Sequence, residues 1–170
     1  MKRLEVFFDY NCPYCLKGHE QLLELLQEQP IPAIVWHPCE ISVYKKEHGK
    51  QTDLCQQALF FAIDGGVDLW SFHKRVYDLI FVEKVDTKVI DVLAESLKDI
   101  LDAKLLEQAL KSGKYIKKVT DANDFAFNVT GVHVVPTYRA DGGILQDRQE
   151  FFNMGPTDTG YYGKGHPTRA

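Results

Sequence analysis

Two hydrophobic periods run along this chain, and the switches between them mark its elements. Leu4 to Phe8 is a short apolar run broken by Glu5, the pattern of a buried β-strand. From Pro13 to Gln29 the period lengthens. Cys15, His19, Leu22 and Leu26 recur at helical spacing, and Leu23 widens the stripe. Pro30 and Pro32 end that helix, because proline lacks the backbone donor and crowds the preceding turn. Ala33 to Trp36 reads as a second strand centred on Ile34-Val35-Trp36. Strand, helix and strand predict a βαβ unit with a parallel strand pair.

From about residue 51 to 128 the pattern is helical throughout. Leu54, Ala58, Phe61 and Ala62 form one stripe, which Gly65-Gly66 breaks; Leu69, His73, Val76, Tyr77 and Ile80 form the next. Asp86 or Thr87 is placed to cap a third helix carrying Val89, Leu93, Leu97 and Ile100, and Asp102 to cap a fourth with Leu105, Leu106 and Ala109. Ser112-Gly113 separates a fifth, with Ile116, Val119, Asn123 and Phe127, and Gly131 is placed as its left-handed C-terminal residue. Strand signal returns from Val132 to Arg139; Asp141-Gly142-Gly143 reads as a turn into a partner strand beginning at Ile144-Leu145. Residues 155–170 are rich in Gly, Thr, Tyr and Pro and predict an irregular tail. The expected organisation is an α/β domain from 1–48 and 129–154, interrupted by a helical subdomain at 49–128.

The 170 residues are 45% hydrophobic, enough for a core of that size. A net charge of −4 argues against a nucleic-acid partner. No run reaches the roughly 18 apolar residues of a membrane span, so no membrane partner is expected. Met1-Lys2-Arg3 leads directly into a charged strand without the apolar stretch of a secretory signal, which predicts a cytoplasmic location.

The chemistry lies in Cys12-Pro13-Tyr14-Cys15, at the junction of the first strand and helix. A helix N-terminus has unpaired N–H groups and partial positive charge, which favour a thiolate over a thiol. Residues i and i+3 of a helix have Cβ atoms roughly 5–6 Å apart, close to the roughly 4 Å of a disulfide. Pro13 removes an N–H that would be unpaired there and presets the helical φ. Cys12 is therefore expected to be an exposed nucleophile and Cys15 the thiol that resolves mixed disulfides. Zinc is the rival for a Cys pair, but Cys39 and Cys55 are far apart and lack the short spacing of a second ligand pair, so no metal is expected.

Two motifs together resemble one family. Phe7-Phe8-Asp9-Tyr10-Asn11-Cys12-Pro13-Tyr14-Cys15 and Gly131-Val132-His133-Val134-Val135-Pro136-Thr137-Tyr138 are similar to the DsbA-like branch of the thioredoxin superfamily, and look nearest to its FrnE-like cytosolic members. The likeness covers about residues 4 to 150. It implies a thioredoxin-like fold with an inserted all-helical subdomain, a thiol–disulfide oxidoreductase acting on protein or peptide thiols, and no bound cofactor. It also implies a cis-proline loop in which Val135 and Pro136, with Thr137 beside them, hold a substrate backbone near Cys12, while Tyr14 lines the approach. Two departures stand out. No clear amphipathic helix follows the last strand, and Val6 stands where many relatives bury an acid below the cysteines. Asp9 is the nearer acid, placed to tune the pair or to cap the turn.

His19 is read as a structural histidine or a proton-transfer group, and His133 as an exposed histidine or a groove residue. Cys39 and Cys55 are read as buried small residues or a second disulfide. The run from Tyr44 to Lys50 is expected to be a solvated loop. Two other functional classes stay open: a glutathione-using transferase or isomerase of the kappa-class type, and a non-catalytic adaptor.

Overall fold

The computed structural model of this chain describes residues 1–41 and 52–153. The expected loop from Tyr44 to Lys50 and the tail at 155–170 lie outside the described residues. In chain order the elements are β1 (Arg3–Phe8), α1 (Pro13–Glu28), β2 (Ala33–Pro38), α2 (Leu54–Asp64), α3 (Leu69–Tyr77), α4 (Ile90–Ser96), α5 (Ala103–Ser112), α6 (Ile116–Asp124), β3 (Thr137–Ala140), β4 (Leu145–Asp147) and α7 (Arg148–Phe152). Short π-helical segments follow α3 at Asp78–Val82 and α6 at Phe125–Thr130.

Contacts gather the described residues into two compact units, 1–41 with 125–153, and 52–124. The first unit holds a four-stranded sheet in the order β2-β1-β3-β4. β1 runs parallel to β2, with Leu4 opposite Ile34 and Val6 opposite Trp36, and antiparallel to β3, with Glu5 opposite Arg139 and Val6 opposite Tyr138. The Asp141-Gly142 turn joins β3 to β4. Both residues have positive φ, 49° and 71°, and the Asp141 carboxylate accepts the Lys2 and Arg3 N–H groups at 2.9 Å, tying the turn to the start of β1.

The strand period sorts the two faces of the sheet. Val6, Phe8, Trp36 and Tyr138 share the face toward α1, where Trp36 lies 6.0 Å from the His19 ring and Tyr138 stacks on Phe151 of α7 at 4.4 Å. The other face carries Glu5, Phe7, His37 and Arg139, with Phe7 stacked on His37 at 4.6 Å and His37 4.9 Å from Phe125.

The second unit is helical across its described residues. Asp53, Asp68 and Asp102 cap α2, α3 and α5 with their carboxylates. Gly113, in the left-handed conformation at φ 72°, ends α5, and Gly131 at φ 83° follows the second π-helical segment. A hydrogen bond between residues far apart in sequence ties α2 to the loop before α6: the Tyr115 hydroxyl donates to Asp64 at 2.7 Å. The whole is a mixed α/β, thioredoxin-like fold with a helical insertion. Among the described residues no helix is long and apolar enough to cross a membrane.

Several expected details are corrected. Strand β3 begins at Thr137 rather than Val132; Val132, Val134 and Val135 are buried in coil, so their apolar run is core packing without a ladder. The third helix begins at Ile90, not after Asp86, whose carboxylate instead takes the Lys88 N–H in the preceding turn at 3.2 Å. Helix α2 buries Cys55, Ala58, Leu59 and Ala62, a stripe rotated from the expected one. Leu23 is 39% exposed and Gly18 is buried in its stead. Finally, α7 was not anticipated: Asp147 and Glu150 form a reciprocal capping box that starts a five-residue helix directly from β4.

Candidate active site

The site is assembled where β1 ends. Asp9 closes the turn after Phe8: its carbonyl accepts the Cys12 N–H at 3.1 Å and its carboxylate accepts the Asn11 N–H at 3.0 Å. That turn delivers Cys12 to the N-cap of α1 with extended backbone (φ −98°, ψ 117°), and Pro13 starts the helix. The Cys12 carbonyl accepts the Cys15 N–H at 3.0 Å, so the two cysteines span the first turn. Beside them the Cys39 N–H donates to the Phe8 carbonyl at 2.8 Å, extending β2 along the end of β1.

Cys12 was expected to be exposed and is not; it is 7% exposed, and Cys15 is 2% exposed. The covering segment comes from residues remote in sequence. The Val135–Pro136 peptide bond is cis, and the Cys12 thiol donates to the Val135 carbonyl at 3.8 Å. Thr137 anchors this segment, donating its hydroxyl to the Val134 carbonyl at 2.7 Å.

The two thiols are unequal. A hydrogen bond from Cys15 lowers the Cys12 pKa below the ordinary thiol value against the opposing effect of burial, and the Cys15 and Tyr14 N–H groups lower it further. Burial pushes the Cys15 thiol well up, and donation toward Cys12 pushes it further. The Asp9 charge raises both. The Asp9 N–H meets the Cys15 sulfur at 3.4 Å. The arrangement makes Cys12 the more acidic of the two thiols and Cys15 the one that keeps its proton.

The remaining candidates fall into place around this pair. Tyr14 is partly exposed at the rim. His19 is buried, and burial lowers its pKa to about 4, so its ring is neutral at physiological pH. His133 is exposed in the loop ahead of Val135. Cys39 and Cys55 are buried thiols not joined in a disulfide, and burial pushes the Cys39 pKa well up. Among the described residues no group of three or more His, Cys, Asp and Glu side chains could hold a metal ion.

Two positions escaped the sequence reading. Gly18 lies one turn below Cys15, and a Cβ there would sit 2.3 Å from the Tyr138 hydroxyl and 3.0 Å from Pro136 Cγ. Only a bare Cα lets β3 and the Val135–Pro136 loop close on α1. Gly18→Ala is therefore expected to destabilise the fold by about 1–3 kcal/mol through overpacking, despite alanine's better helix propensity. Pairing it with Tyr138→Phe should recover part of the loss. Thermal unfolding of the single and double variants checks this, and a Gly18→Ala protein as stable as the wild type would refute it. The second position is Arg148, fully buried at the start of α7.

Residues 3–155 match the DSBA-like thioredoxin domain family. The chain belongs to this family. Solved structures share the fold. A probable DsbA oxidoreductase from Streptomyces coelicolor superposes with a TM-score of 0.70 at 15% identity, covering 100% of this chain and 94% of that one. BdbD from Bacillus subtilis gives 0.66 at 17% identity, covering 88% and 80%. A 2-hydroxychromene-2-carboxylate isomerase gives 0.65 at 12% identity, covering 89% and 92%. No curated protein matches the chain. At such identities the neighbours establish the DSBA-like fold of this chain and leave its chemistry to its own residues.

Proposed function

We propose that this DSBA-like chain is a thiol–disulfide oxidoreductase that uses the Cys12–Cys15 pair on protein or peptide substrates. The observation that carries the reading is the placement of Cys12 at the N-cap of α1 with its sulfur 3.8 Å from the Val135 carbonyl. A substrate strand laid against Val135 would bring its own sulfur to Cys12. In the oxidising direction a substrate thiolate attacks Cys12 Sγ of the protein disulfide. The S–S bond breaks, and Cys15 leaves as a thiolate and takes up a proton. A second substrate thiolate then attacks the substrate sulfur of the mixed disulfide and releases the Cys12 thiolate. The substrate gives two electrons to the pair and loses two protons, one taken up by Cys15 and the other passing to solvent while Cys12 stays a thiolate; reduction runs the same steps backward. Tyr14, Val135 and Pro136 line the approach, and Pro13, Asp9 and Thr137 support the motif. The chain requires no bound cofactor for this cycle, because its electrons come from and go to other thiols, glutathione among them.

We also read the first unit as the thioredoxin-like catalytic domain and the helical stretch as its inserted subdomain, in a cytoplasmic protein like the FrnE-type relatives it resembles. Equilibration of the Cys12–Cys15 pair with glutathione buffers, read by thiol alkylation and mass spectrometry, tests the central claim. A potential near about −120 mV marks an oxidant and one near about −270 mV a reductant. A pair that never forms a disulfide across that range overturns it. Glutathione turnover that saturates without dithiol exchange would instead favour the kappa-class type.

Asp9 acts on this poise. Its carboxylate sits at 3% exposure and its charge disfavours a thiolate at either cysteine. Asp9→Asn keeps the shape and removes the charge, so the Cys12 thiolate and with it the dithiol form gain. The expected result is a more oxidising pair, by roughly two- to tenfold in the glutathione equilibrium. An unchanged equilibrium would leave Asp9 with only its turn-capping role.

A further inference from the structure

We propose that Arg148 is a positioning residue for the dithiol: its guanidinium holds the Tyr14 ring over the first turn of α1 and so sets the poise of the Cys12–Cys15 pair. This rests on the oxidoreductase reading above and adds to it a residue outside both motifs.

Arg148 is wholly removed from solvent. A guanidinium stays charged at any physiological pH, so burying it is costly unless the surroundings receive the charge. What receives it is one face of the active-site helix. The guanidinium carbon lies 5.6 Å from the centroid of the Tyr14 ring, within cation–π range, and a terminal nitrogen donates to Gln21 Oε1 at 3.1 Å. Tyr14, Gly18 and Gln21 lie along one stripe of α1. Between the two contacts the arginine stem passes Gly18, where a Cβ would come within 3.6 Å of Arg148 Cδ. The glycine thus gives room to the arginine as well as to Pro136.

The other end of the arginine is equally fixed. Arg148 is the first residue of α7, and the Asp147–Glu150 capping box locks that turn: Asp147 accepts the Glu150 N–H and Glu150 accepts the Asp147 N–H, each at 2.9 Å. Tyr138 of β3 stacks on Phe151 of the same helix. Arg148 is therefore held rigidly by the sheet side of the fold while its charged end reaches the residue between the two cysteines. Electrostatics place the three groups in one neighbourhood: burial and the Cys12 charge raise the Tyr14 pKa, and the Arg148 charge lowers it. A cation that steadies Tyr14 next to Cys12 favours the thiolate, and a favoured thiolate stabilises the dithiol form.

The test is a double-mutant cycle on the balanced equilibrium in which protein disulfide and two glutathiones give protein dithiol and glutathione disulfide. Arg148→Met is expected to lower this constant at least threefold, about 14 mV on a two-electron couple. In a Tyr14→Ala background the same substitution is expected to change it by less than about 1.5-fold, because the effect runs through the ring. No shift from Arg148→Met, or an equal shift with and without Tyr14, overturns the proposal. If Arg148→Met does not fold, Arg148→Lys carries the same cycle. Lysine keeps the charge and loses the planar face that lies against the ring; a lysine variant matching the wild type in both backgrounds overturns the ring-holding role. If the wild-type pair does not exchange with glutathione at all, the oxidoreductase reading fails first. The cycle is then read on the ultraviolet titration of the Cys12 thiolate, where loss of Arg148 raises the Cys12 pKa only while Tyr14 is present.

Discussion

Cys12→Ser is expected to abolish dithiol exchange, with insulin reduction or oxidative refolding falling at least about a thousandfold, to the rate without protein. A serine hydroxyl in the same place gains nothing from the N-terminus of α1, because it does not ionise in the accessible pH range and oxygen forms no disulfide. Cys15→Ser should behave differently. The serine hydroxyl keeps a donor where the Cys15 thiol donated toward Cys12, so the remaining thiol is still a competent nucleophile. What disappears is the resolving thiol one helical turn away. An intramolecular partner acts at an effective concentration that free thiols do not reach, so mixed disulfides on Cys12 should accumulate. Mass spectrometry after alkylation should find substrate or glutathione on Cys12 of the Cys15→Ser protein and none on the Cys12→Ser protein. Full turnover by Cys12→Ser would end the oxidoreductase reading; partner binding that survives loss of both cysteines would put the adaptor class in its place.

What the sequence disclosed is what local physics decides. The βαβ start was legible because strand and helix periods differ and prolines mark the helix end. The dithiol was legible because its two halves are three residues apart at a helix N-terminus. Asp102 and Gly113 announce the two ends of α5 by their own backbone chemistry. Tertiary contact decided the rest. Val132 to Val135 have the composition of a strand, and only the partner register shows that the ladder begins at Thr137. The burial of Cys12 depends on a segment more than a hundred residues away, which a local motif does not reveal. The need for Gly18 was hidden, because its neighbours Tyr138, Pro136 and Arg148 come from other elements. Asp147 and Glu150 did carry a capping signal, but no apolar run followed to mark a helix. Glu5 looked like a charge interrupting a strand, and its partners lie at Arg139 and His37.

Arg139→Ala is expected to lower stability by about 3 kcal/mol at neutral pH, a loss to be read from chemical denaturation. Glu5 is only 2% exposed, at the centre of the sheet, and a carboxylate there must be matched. Arg139 matches it with two hydrogen bonds, at 2.6 and 3.0 Å; His37 Nε2 lies 3.0 Å from the same carboxylate, and Arg3 reaches it at 3.4 Å from a half-exposed position. The Arg139 hydrogen bond does most to hold the Glu5 pKa down to about 2 against the opposing effect of burial. A depressed carboxylate pKa means that the unfolded chain binds the proton more readily. The Glu5 contribution is therefore fully present above the ordinary value near 4.5 and is lost as the pH falls from there toward about 2. Without Arg139 the folded pKa rises, and acid unfolding should begin at higher pH than in the wild type. Replacing both partners, as Glu5→Leu with Arg139→Met, should cost less than either single change, since no uncompensated charge is left behind. An Arg139→Ala protein with wild-type denaturation and acid midpoints would show that the cluster is electrostatically idle. Because Glu5 and Arg139 lie on the sheet face turned away from α1, the same variant should leave the glutathione equilibrium of the dithiol unchanged, separating what holds this fold together from what its cysteines do.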